Sequence, residues 1–137
     1  MAQNNNPPET PKEPFELPQF HRESLSYPFD IEKYVEEQTK ELKQKYTVMW
    51  KEMMDALERD YNKGVEKCVI EIGARNGNYG TSEDSWKNNM HNVELRAIEN
   101  FIYYVRSKGY MCVEHFTTQY AAQHFAKYVK VITITLK

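Results

Sequence analysis

The sequence predicts one small α/β or α+β domain over residues 30–137, of order α-β-α-β-(α)-β, with a three-stranded sheet covered by helices. An extended, proline-rich arm over residues 1–29 precedes it. Three observations carry that reading. Two short segments alternate in hydropathy with a period of two, and a third strand-like segment follows Gly109 at once. Two longer segments space apolar residues by three and four. All 6 prolines fall before residue 29.

The arm holds Pro7, Pro8, Pro11, Pro14, Pro18 and Pro28. Proline fixes φ and removes a donor, so this segment forms neither a helix nor a central strand. Alone, it is expected to be extended and mobile. Yet it carries the apolar anchors Phe15, Leu17, Phe20, Leu25, Tyr27 and Phe29. A plain solvated linker has no use for them. The arm is therefore expected to be held, either by its own domain or by a neighbouring chain.

Asp30 suits the N-cap of a first helix. Ile31, Tyr34, Val35, Leu42, Tyr46, Met49, Trp50, Met53 and Leu57 mark one face, and Asn62-Lys63-Gly64 stops it near Tyr61. Unbroken, it would be about 46 Å long, more than a small sheet can cover. The apolar stripe thins over residues 36–41, which predicts a break there. Met49, Trp50, Met53 and Met54 form an adaptable apolar cluster. Core against the sheet is its plainer reading; a partner groove anchored by Trp50 is the other.

In residues 67–72, Cys68, Ile70 and Ile72 alternate with Val69 and Glu71, giving a strand with one dry face. A glycine loop follows, with Thr81, Ser82, Asp84 and Ser85 offering N-cap oxygens. A single helix is expected next, with Trp86, Met90, Val93, Ala97, Phe101 and Tyr104 on one stripe. Gly109 suits its left-handed C-terminal cap. Residues 110–115 form the second strand; tight connections suggest a right-handed parallel crossover, while a longer route would make the strands antiparallel. A short helix bearing Tyr120, Ala121, Ala122 and Phe125 is expected after it. Residues 129–136 form the last strand, the cleanest in the sequence.

A net charge of -2 gives no global pull towards nucleic acid. No apolar run approaches the roughly 20 residues of a membrane span, and no signal peptide opens the chain. Cys68 and Cys112 read as small buried residues in a reducing, cytoplasmic compartment rather than as a disulfide. The 10 tyrosines and abundant asparagine suit an AT-rich genome of the kind phages and other viruses carry, so virion association is a further expectation.

Two sites are open to chemistry. Backbone N–H groups around Gly73, Arg75, Gly77, Gly80, Thr81 and Ser82, with His115 at a nearby strand end, are candidates for a nucleotide-like ligand. Against this, the phosphate-loop lysine is missing, and Glu83 and Asp84 repel an anion. A structural loop is the plainer reading. His115, His124 and Glu114 have no recognised zinc spacing, so no metal or cofactor is expected. The preferred function is a non-enzymatic interaction or structural protein that joins a larger assembly through its arm and first helix. The alternatives are a small-ligand-binding protein or hydrolase using the 73–85 loop, and an inhibitor of a host enzyme.

Overall fold

The computed structural model describes residues 14–20, 31–74, 82–122 and 125–137, with side chains at 119–127 left aside. The fold is a small α+β domain. Helices α1 (Ile31–Glu36), α2 (Lys40–Lys63), α3 (Glu83–Asn88) and α4 (Asn92–Ser107) accompany strands β1 (Lys67–Gly73), β2 (Met111–Ala122) and β3 (Phe125–Thr135). The strands make a three-stranded antiparallel sheet of order β1-β3-β2.

The predicted break in the first helix is present. Thr39 opens α2, its Oγ1 accepting from the Leu42 N–H. Gly64 closes α2 at φ 70°, a left-handed position that glycine adopts without Cβ strain. Gly109 does the same after α4, at φ 92°.

The single helix expected after the glycine loop is two. Ser82 caps α3, and His91 opens a capping box with Glu94 at the start of α4. The apolar spacing of Trp86, Met90 and Val93 runs across this join, so periodicity hides it. The expected short helix is absent: β2 continues to Ala122, and β3 begins at Phe125. Pairing with β3, continuous as far as Tyr120 and resumed at Ala122 after a register shift, overrides the helical preference of the alanines. The expected crossover pairing also fails, because β3 lies between β1 and β2.

One face of the sheet is covered. Cys68, Ile70 and Ile72 of β1, Cys112 of β2, and Ile132 and Ile134 of β3 pack under α2 and α4 with Met49, Met53, Leu57, Ala97, Phe101 and Val105. Burying a side chain of this size contributes about 1.5–3 kcal/mol. Trp86 pins α3 to the sheet: its indole N–H donates to the Ile72 carbonyl at 3.0 Å, and its ring meets Phe116 edge-on.

Candidate interaction surface

The described part of the arm is a strap on the domain's own helices. Leu17 is fully buried in the main core. Its N–H donates to the Tyr104 hydroxyl at 2.8 Å, and the Tyr110 hydroxyl donates to the Pro18 carbonyl at 2.6 Å. The Phe20 N–H donates to the Lys108 carbonyl at 2.8 Å. Phe15 packs on Tyr61 and Phe20 on Tyr110. Burial raises the Tyr104 hydroxyl's pKa and, with the nearby Tyr61, pushes that of Tyr110 up to about 12. Both phenols thus stay protonated at neutral pH, as the Tyr110 hydrogen bond requires. Leu25, Tyr27 and Phe29 lie outside the described residues.

Trp50 is half-buried where α2 meets α4. It stacks on Tyr46 and meets Phe101 and Tyr104 edge-on. Arg75, Gly77, Gly80 and Thr81 lie outside the described residues. Ser82 spends its Oγ on the Ser85 N–H at 3.1 Å. His115 stands on the sheet face opposite the one Trp86 covers, since its neighbour Phe116 is the residue that meets Trp86.

Potential reactive groups are structurally engaged. Burial and the neighbouring Asp60 push the Cys68 thiol up to about 12, and burial pushes Cys112 to about 11. Both cysteines pair with Ile134, on opposite sides of it. Two strand spacings separate them by about 9.5 Å, beyond the roughly 7 Å limit of a disulfide. His91 accepts from the Val93 N–H through Nδ1. Among the described residues no three metal-ligating side chains gather. A groove of about 370 Å³ between α4 and the sheet includes Trp86, Arg106, Glu114 and Lys130 in its lining. There Lys130 pairs with Glu114 at 2.8 Å and lies over the Phe116 and Trp86 rings, so its charge is already matched.

The other sheet face is different. Val69 is 50% exposed, Val113 50% and Met111 57%. The pairing register puts these three on one side with Lys67, Glu71 and His115. Val129 and Val131 are buried along the central strand. The sequence carried this signal: Val69 on β1 and Met111 and Val113 on β2 stand beside core residues at positions where a solvated face calls for polar ones.

These features define a two-layer α+β domain with helices on one sheet face and apolar residues exposed on the other. No family model, no curated protein and no solved structure matches the chain. No helix among the described residues is long and apolar enough to cross a membrane.

Proposed function

We propose that the protein is a non-enzymatic interaction component that docks onto a protein partner within a larger assembly. The single observation that carries this is the half-exposed apolar pair Met111 and Val113 on β2, with Val69 across Thr133 on the same sheet face, turned away from the helices. Neighbouring exposed apolar side chains such as Met111 and Val113 mark contact sites more often than isolated ones do. The arm contributes through Leu25, Tyr27 and Phe29, the anchors beyond the strap. In sequence, these anchors lie between Phe20, packed on the domain, and Ile31 at the start of α1. A partner that offers an apolar, aromatic-rich surface suits both elements.

The test is a pull-down from the native source with the full chain. The variants are Met111→Lys with Val113→Lys, and separately Leu25→Ala, Tyr27→Ala and Phe29→Ala together. All leave residues 14–20 in place. A partner recovered by the wild type should be lost with either variant while circular dichroism stays unchanged. Equal recovery by all three proteins rejects the proposal.

A further inference from the structure

We infer that the outer edge of β1 is a contact with a second copy of this chain, where the two β1 strands pair antiparallel about Val69 and fuse their sheets into one of six strands. This rests on reading the chain as an assembly component and shares Val69 with that reading, but it uses the backbone edge of β1 rather than the side chains of Met111 and Val113. Sheet order leaves β1 and β2 as the edges. On β2, the Arg106 guanidinium already takes the Cys112 carbonyl, at 2.8 and 3.2 Å. Among the described residues, no strand pairs with the outer side of β1.

The charge pattern of β1 is complementary to itself. Lys67 and Glu71 flank Val69 on the open face, each two residues away. An antiparallel copy centred on Val69 sets Lys67 opposite Glu71 of the second copy, and Glu71 opposite its Lys67. On the covered face the same register sets Cys68 opposite Ile70, both apolar.

The Cys68 thiol donates to the Ala56 carbonyl at 3.8 Å, which ties the C-terminal half of α2 to the start of β1. Beside the strand edge, Glu52, Asp55 and Arg59 of α2 line a groove of about 480 Å³ that Val69, Ile70 and Glu71 close from the strand side. Opposite charges across a strand pair favour one register, and like charges disfavour it. A charged edge also discourages unmatched strands, so the contact selects its own copy.

Sedimentation velocity of the full chain over a concentration series should show a dimer. Lys67→Glu alone and Glu71→Lys alone each put like charges at both positions and should raise the dimer Kd at least about tenfold. An equimolar mixture of the two variants should dimerise again, because each supplies what the other needs. Mild oxidation of a Val69→Cys variant should give a cross-linked dimer, since opposed residues in an antiparallel pair lie within disulfide reach. A wild type that stays monomeric, or a mixture no more dimeric than either variant alone, overturns the inference. A monomeric chain whose partner capture still depends on Met111 and Val113 overturns it too, and leaves the docking proposal standing.

Discussion

Leu17 shows how one side chain changes the meaning of a segment. It sits in a proline-rich stretch, yet it is as buried as any residue of α4. Leu17→Ala should destabilise the domain by about 2–5 kcal/mol in a denaturant melt, the range for a core truncation. A surface anchor waiting for a partner would cost almost nothing in the free chain. Asn100 makes a second test. Its side-chain N–H donates to the Tyr46 hydroxyl at 2.9 Å, while its Oδ1 has no partner among the described residues. Asn100→Leu or Tyr46→Phe alone strands a buried polar group, at about 1–3 kcal/mol. The double variant should cost less than the sum of the two, measured by thermal melts. The thiols give a pH test. Their folded pKa values, about 12 for Cys68 and about 11 for Cys112, exceed the ordinary value of 9.0. A group whose pKa is raised on folding contributes stability below the unfolded value and loses it as pH climbs to the folded one. Stability should therefore fall between pH 9 and 12, less steeply after Cys112→Ala.

At the scale of elements, caps decide where helices begin. Thr39→Ala and His91→Ala should each cost about 0.5–2 kcal/mol, read by chemical denaturation. The first of these breaks was legible in the sequence because the apolar stripe thins at residues 36–41. The second was not: Met90 and Val93 continue the helical spacing across the join, and histidine is outside the residues that usually signal a cap. The β2–β3 hairpin was hidden for another reason. Thr117 and Thr118 suit a helix cap as well as a strand, and only the long-range pairing with Val129 and Tyr128 decides between them. Local preference cannot report a partner that lies elsewhere in the chain. The strands themselves were legible, since β-branched alternation in residues 67–72 and 129–136 has no competing helical reading.

Across the whole molecule, the division of surfaces is the main result. The helices take one face of the sheet, the strap closes the end where Tyr61, Tyr104 and Tyr110 meet, and Val69, Met111 and Val113 are left exposed. The sequence marked Phe15, Leu17 and Phe20 as residues needing burial, and Leu17 is buried with Phe15 and Phe20 packed against the core, but it could not say whose surface buries them. That depends on the order of the strands and on where α4 ends, neither of which is a local property. The most direct test is amide hydrogen exchange of the isolated chain at Leu17 and Phe20, whose N–H groups donate to the Tyr104 hydroxyl and the Lys108 carbonyl. Slow exchange at both, comparable with amides in the middle of α4, is the result predicted. Exchange at the rate of a free peptide would contradict it, because Phe15, Leu17 and Phe20 would then be available to a partner and the strap would be no part of the domain.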